Sequence, residues 1–359
     1  MSFPIPHFSR KGVTRAGNIL IQPDGAVTAI AAAEALSLVN HWRSCHLYPI
    51  NTFQSTLRAR LKKMCPDALV AQRLKRVPSI VSKLERNPGM QLARMQDIGG
   101  LRAVVNSMSQ VRTLRNLYVN GNLTHELVDE DDYIAAPKAS GYRSVHLIYR
   151  YNNPAVTLYN GLCLELQIRT RRQHAWATAV ETMGTFIDHA LKANEGPEEW
   201  LQFFQVASAA IAHMEKCAPA EAFQAMKPQA VWADFVQRAD RLEVVRKLRA
   251  FAVAANAISQ DTSGGSYHLV VLDAEKRVVT VSSYGTRRIE EAHHEYARAE
   301  EQAREDGNLQ VVLVNTDSIE SLRRAYPNYF LDTNQFLSII HNIRLRLEAV
   351  NAWKRHAKA

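Results

Sequence analysis

Cysteine is scarce in this chain and never paired. Cys45, Cys65, Cys163 and Cys217 lie far apart and form no Cys-x-x-Cys pair. That spacing argues against a zinc knuckle and against a disulfide framework, and it fits reduced thiols in a cytoplasmic protein. Long apolar runs are also missing; nothing approaches the roughly 18–20 residues of a membrane helix. The opening segment, MSFPIPHFSRKGVTRAG, lacks the charged-then-apolar layout of a signal peptide, so a cytoplasmic location is expected. No GxxxxGK[ST] occurs, which excludes a P-loop nucleotide site. Internal repeats and low-complexity tracts are absent as well.

Positive charge, by contrast, is plentiful and uneven. The 359 residues carry a net charge of +9. Thirteen Lys/Arg fall within residues 54–115, against only Asp67, Glu85 and Asp97. A solvated helix face explains such a run as well as a surface for polyphosphate or nucleic acid does. Charge alone leaves both readings open.

The hydrophobic periodicity organises the chain into two units. Helical spacing runs over residues 28–48 and 50–64, then over PSIVSKLERN, with Pro78 near its start, and SQVRTLRNLYVNG, ended by glycine. LRAVV at 101–105 reads as a buried strand, and further strands are expected at about 124–134, 144–151 and 162–169. Helices follow over 171–192, 197–215 and, as one long element, 229–258. QDTSGGSY is the clearest linker. Beyond it come strands 267–273, 277–283 and 309–315 and helices 286–306, 317–325 and 333–354. The expected fold is α+β, a mixed or antiparallel sheet flanked by helices, followed by a small C-terminal α+β domain. The domains expected are 1–215, a connecting segment 216–260, and 261–359.

Polar residues gather where strands end. Asp97 immediately precedes IGGLRAVV. In LCLELQIRT, Leu162, Leu164, Leu166 and Ile168 alternate with Cys163, Glu165, Gln167 and Arg169, so Glu165, Gln167 and Arg169 share one strand face. Such a face suits the floor of a polar pocket better than a core. Two carboxylates among many cations suggest Mg²⁺ held by Asp97 and Glu165, with Arg73, Lys75, Lys83 and Arg102 on phosphates. The loop APKASGYRSVH carries Lys138, Tyr142, Arg143 and His146 on a turn set by Pro137 and Gly141. Tyr142 could stack on a nucleobase, and Lys138, Arg143 and His146 could hold an acceptor's phosphates or sugar hydroxyls. Taken singly, each of these residues also has a purely structural explanation, such as Asp97 neutralising a neighbouring arginine.

RLKRVPSIVSKL, DIGGLRAVV, DYIAAPKASGYRSVH and LELQIRTRRQHAWATAVE resemble, in order and spacing, the synthetase domain of the RelA/SpoT alarmone family. The resemblance covers about residues 40–215. It implies transfer of the β,γ-pyrophosphate of ATP to a ribose 3′-hydroxyl, with release of AMP. By the same resemblance Arg73, Lys75, Lys83 and Arg102 bind ATP, while Asp97 and Glu165 hold Mg²⁺, Glu165 doubling as base. Tyr142 would stack on the acceptor base; Lys138, His146, Gln167 and Arg169 would position acceptor phosphates and sugar. Guanosine-alarmone makers commonly read Asn-Gly-Tyr where this chain has Ser140-Gly141-Tyr142, which weakens guanine recognition. No His-Asp doublet occurs in that order, so the hydrolase half of bifunctional members is not expected here.

In the C-terminal unit, RRAYPNYFLDTNQFL places Tyr326 and Tyr329 around Pro327. Core aromatics account for such a pair on composition alone. A Tyr-x-x-Tyr segment after a synthetase domain also resembles the CapRel group of fused toxin–antitoxin synthetases. That resemblance implies a C-terminal domain that occludes the ATP site, release by a phage protein, and the 3′ CCA end of tRNA as acceptor. The alternative it leaves open is a small alarmone synthetase acting on GDP, GTP or ADP.

Overall fold

The computed structural model describes residues 3–23, 25–186, 191, 195–254, 256–259, 267–273, 275–276, 278–305, 309–315 and 333–356. Residues 260–266 of the expected linker, the helix at 317–325, and Tyr326 and Tyr329 lie outside the described residues.

One nine-stranded mixed sheet runs through the molecule in the order β3-β4-β5-β2-β1-β9-β7-β8-β6. Its strands are β1 (Leu69–Leu74), β2 (Gly99–Val105), β3 (Glu126–Asp132), β4 (Val145–Arg150), β5 (Cys163–Thr170), β6 (Asn256–Ser259), β7 (Tyr267–Asp273), β8 (Val278–Tyr284) and β9 (Leu309–Asn315). β2 and β5 are parallel, as are β6 and β8; the other pairs are antiparallel. The α+β expectation therefore holds. β1 and β9 pair through Gln72 with Asn315 and Arg73 with Val314, so the C-terminal strands extend the N-terminal sheet.

Helices α1 (Arg10–Leu20), α2 (Ala29–Cys45), α3 (Leu47–Met64), α4 (Val77–Arg86) and α5 (Met108–Val119) lie on one side. Against them pack Leu101, Ala103, Val105, Leu147, Leu164, Leu166 and Ile168, together with Ile50, Phe53 and Leu57 of α3. Gly99 lets α3 come this close, since a Cβ there would stand 2.8 Å from Ile50. A second core joins α6 (Arg171–Phe186), α7 (Glu198–Met214), α8 (Pro228–Arg241) and α11 (Asn334–His356) around Trp176, Phe203, Phe235 and Phe336. Helix α10 (Ile289–Glu305) packs on the C-terminal strands through Ala292 and Tyr296.

The long helix expected over 229–258 is corrected. α8 ends at Arg241, Glu243 adopts a left-handed φ of 53°, and α9 (Val244–Ala254) starts afresh. The bend keeps Phe235, Ala239, Leu242, Val244 and Leu248 all in the core. Residues 256–259 then form β6 rather than helix. Two elements lay beyond the periodic reading altogether: α1, and β1, in which Arg73 shares a face with Leu69 and Ala71 and Gln72 shares one with Val70 and Leu74, so no polar–apolar alternation shows.

Candidate active site

The sheet register builds the site. Ala71 of β1 faces Arg102 of β2, Arg73 faces Gly100, Gly100 in turn lies beside Glu165 of β5, and Arg102 beside Gln167. His146 of β4 is opposite Gln167 on the other side. Because partners across a ladder share a face, these residues all point away from the α1–α5 core. They line an open cleft of about 250 Å³ with Lys75, Asp97, Leu101, Lys138 and Tyr142. Glycine at position 100 keeps the floor low; a Cβ there would meet nothing closer than Arg73 O at 3.8 Å.

Asp97 sits where the chain enters β2, and each of its oxygens takes a lysine. Lys75 Nζ lies 2.8 Å from Oδ2 and Lys83 Nζ 3.0 Å from Oδ1. Burial works to raise Asp97, yet the two ammonium groups outweigh it and hold the carboxyl below its usual range. Burial also draws Lys75 below the ordinary lysine value, against the pull of Asp97. Lys75 is fixed at the end of β1 by its N–H, which donates to Ile98 O at 2.8 Å. Lys83 comes from α4, whose start is set by Pro78 in the first turn.

Glu165 is the second carboxylate. His146 Nδ1 lies 2.6 Å from its Oε1, and Gln167 Nε2 donates to Oε2 at 2.7 Å. Burial raises Glu165, but His146 prevails and keeps it ionised below the normal glutamate range. The negative charge of Asp97 is felt at Glu165 and pushes the other way. A divalent cation would relieve that repulsion. Among the described residues no cluster of three or more His, Cys, Asp and Glu could hold a metal by itself. A Mg²⁺ ion shared by Asp97 and Glu165 would have to take the rest of its shell from substrate phosphates.

The loop between β3 and β4 is locked onto α7. Gly141 has φ of 89°, and Ser208 Oγ donates to its carbonyl at 2.5 Å. This seats Tyr142, whose ring is only 7% exposed and whose Oη lies 2.9 Å from His146 Nε2. Lys138 Nζ stands 4.1 Å over the Tyr133 ring and 5.8 Å over that of Tyr142. Tyr133 and Tyr142 meet edge to face at 6.0 Å. Sequence reasoning assigned Tyr133 only to the end of a strand; its ring is part of this aromatic corner, and the adjacent acidic run gave no sign of it.

Arg169 shares the strand face of Glu165 and Gln167 but is buried beside Arg102 and Tyr142, outside the open cleft. Burial and Arg102 pull it down to about 9. It bonds to His174, while its Nε and Nη1 find no acceptor among the described residues. A buried guanidinium with spare donors is suited to an anionic group. Arg143 is a correction. In the extended stretch after Gly141 it points opposite to Tyr142, bonds to the carbonyls of Ile134 and Ala218, and does not reach the cleft.

The basic run of 54–115 is partly spent inside the fold. Arg112 pairs with Asp132, Arg115 binds Glu130 at 2.5 Å, and Arg60 lies 4.5 Å over the Tyr118 ring. Lys62, Lys63 and Arg94 remain exposed.

Residues 72–185 match the family model described as the region found in RelA/SpoT proteins. The GTP pyrophosphokinase YjbM of Bacillus subtilis is 37% identical over 116 residues, 32% of this chain and 54% of that protein. A GTP pyrophosphokinase of Haemophilus influenzae is 28% identical over 125 residues, 35% of this chain and 16% of that one. The chain thus spans about half of YjbM and a far smaller share of the longer enzyme. Among solved structures, small alarmone synthetase 1 from Bacillus subtilis bound to its product pppGpp is 28% identical, with a TM-score of 0.42, covering 50% of this chain and 94% of that one. The matched segment holds Arg73 through Arg169, that is, every cleft residue except Ala71.

Proposed function

We propose that this RelA/SpoT-type segment makes the protein an ATP-dependent pyrophosphokinase, moving the β,γ-pyrophosphate of ATP to a ribose 3′-hydroxyl. The observation that carries the reading is the single cleft in which Asp97 and Glu165 share one floor with Arg73, Lys75, Arg102 and Lys138. Phosphoryl chemistry of this kind rests on positioning and charge neutralisation rather than on a protein nucleophile.

Arg73, Lys75, Lys83 and Arg102 bind the donor phosphates. Asp97 and Glu165 hold Mg²⁺, which when bound neutralises phosphate oxygens. The 3′-oxygen attacks the β-phosphorus; the bond from that phosphorus to the oxygen bridging the α-phosphorus breaks, and AMP leaves. Glu165 takes the hydroxyl proton. His146, 2.6 Å from its Oε1 and 2.9 Å from Tyr142 Oη, gives that proton an onward carrier. Lys138, Tyr142 and Gln167 position the acceptor, and Arg169 backs Tyr142 from outside the cleft.

For the acceptor we place the 3′ CCA end of tRNA first, because Ser140 replaces the asparagine common in guanosine-alarmone makers. A free guanine or adenine nucleotide is the second reading, its guanine form favoured by the names of the relatives, GTP pyrophosphokinases. In this proposal residues 1–215 are the pyrophosphokinase domain, 216–260 a connector, and 261–359 a regulatory domain whose Tyr326 and Tyr329 compete with the donor adenine. A phage protein engaging that domain would release it. The test offers the full chain γ-³²P-labelled ATP with deacylated tRNA, GDP or ADP. Label on tRNA, lost when the terminal 3′-hydroxyl is removed, supports the first reading; label on GDP or ADP alone supports the second. Label on none of them, even with Tyr326→Ala/Tyr329→Ala, overturns the enzyme assignment.

A further inference from the structure

α4 carries Lys83 to Asp97, yet its own N-terminus is not capped locally. Arg76, at the cap position, makes no side-chain capping bond. The carboxylate that meets this end comes from 223 residues further along: Val77 N–H donates to Glu300 Oε1 at 3.4 Å. A helix N-terminus favours such an anion, and Glu300 on α10 supplies it.

Glu300 is itself tightly held. Arg43 of α2 reaches it through Nη1 at 2.9 Å and Nη2 at 3.3 Å, and Tyr296 Oη donates to it at 2.6 Å. Arg43 then uses Nε to donate to Lys75 O at 2.8 Å. Arg43 and Glu300 are 2% and 5% exposed, so the pair is largely buried. Two adjacent backbone points of the donor segment, the carbonyl of Lys75 and the N–H of Val77, are thus fixed by one buried cluster. Lys75 and α4 are the sources of both ammonium groups on Asp97.

We propose that Glu300, with Arg43, is a positioning pair through which the C-terminal unit shapes the ATP-phosphate end of the cleft. Glu300 touches no substrate; it sets the backbone from Lys75 into α4, and that backbone aims Lys75 and Lys83. Any partner that shifts α10 acts on the donor site by this route. The inference rests on the donor assignment made above for Lys75 and Lys83.

The test compares native full-length protein with Glu300→Gln and with Arg43→Met/Glu300→Met. The double variant replaces the buried pair with apolar groups and so removes the unpaired charge that could unfold the single variant. Two readouts are taken: binding of a non-hydrolysable ATP analogue with the ATP and acceptor KM values, and amide hydrogen exchange across residues 75–83. The expected result is a rise in analogue Kd and ATP KM on the order of fivefold or more, the scale of a lost helix cap, with acceptor KM unmoved. Faster exchange at 75–83 is expected alongside. A folded double variant with native ATP affinity and native exchange overturns the proposal. Faster exchange with unchanged ATP affinity also overturns it, reducing the pair to a structural contact. If the native protein binds no ATP but the variants exchange faster, the enzyme reading has failed and the positioning role falls with it, while the coupling of α10 to α4 stands.

Discussion

Gly141→Ala tests whether the loop that seats Tyr142 depends on its close approach to α7. Two costs add. An L-residue at φ of 89° is strained by about 1–2 kcal/mol. The new methyl would stand 2.8 Å from Ser208 Cβ and 3.3 Å from Phe204 O, an overlap that costs about 1–3 kcal/mol as loop and helix part. Against these, alanine stiffens the unfolded chain and returns about 0.4–1 kcal/mol. The net expectation is a loss near 3 kcal/mol. Neither contact can yield easily, because Phe204 O also accepts the Trp176 indole N–H at 2.8 Å and Ser208 Oγ holds the Gly141 carbonyl. Urea unfolding of the full chain, followed by circular dichroism, measures the shift. Ser208→Gly removes the atom nearest the new methyl but itself forfeits the bond to the Gly141 carbonyl and puts glycine inside α7, so the four-way cycle is measured: Gly141→Ala should cost less in the Ser208→Gly background than in the native one. Native stability of Gly141→Ala, or an equal cost in both backgrounds, would refute the close-packing argument.

Asp97→Asn should lower labelled-product formation on the order of a hundredfold or more, since the carboxylate is removed from a site built to neutralise charge; activity within about threefold of native would take Asp97 out of the mechanism. The same carboxylate and Glu165 set an acid limb of stability. Both are held below their ordinary values in the fold, so the stability they contribute is present above the unfolded pKa of about 4 and is lost as pH falls through the depressed folded values. Urea midpoints measured from pH 6 down to 3 should show that loss, and Asp97→Asn should flatten it; an unaltered slope in the variant would contradict the lysine pairing.

The strand at 162–169 was legible because only one of its faces is apolar: period two separated Glu165 and Gln167 from Leu164 and Leu166. The same rule grouped Arg169 with them but could not show that its end of the strand runs beneath α6. Pro137 and Gly141 announced the loop, while the direction of Arg143 depended on backbone alternation within it. β1, an interior strand between β2 and β9, left no pattern because Arg73 and Gln72 each fall on a face otherwise apolar. The break between α8 and α9 falls at Glu243, without a glycine or proline to mark it. Net charge over 54–115 counted cations but not their partners, so Arg112 and Arg115 appeared available when Asp132 and Glu130 of β3 hold them.

Contacts between distant segments leave the least trace in sequence, and they bear most on how the C-terminal unit acts. β1 is an interior strand because β9 pairs with it at Gln72 and Arg73. Among the described residues, Arg43 finds its carboxylate in Glu300, 257 residues away. Cutting the chain at residue 260 would therefore do more than remove the proposed inhibitory unit. It would turn β1 into an edge strand, free the start of α4 from its cap, and leave Arg43 without its carboxylate. If the C-terminal unit inhibits as proposed, activity in such a fragment would report release minus damage, two effects of opposite sign on the proposed donor site. Full-length variants at Tyr326 and Tyr329 on one side, and at Arg43 and Glu300 on the other, separate them. The first pair addresses occupancy of the ATP position; the second addresses the geometry of the cations that receive its phosphates.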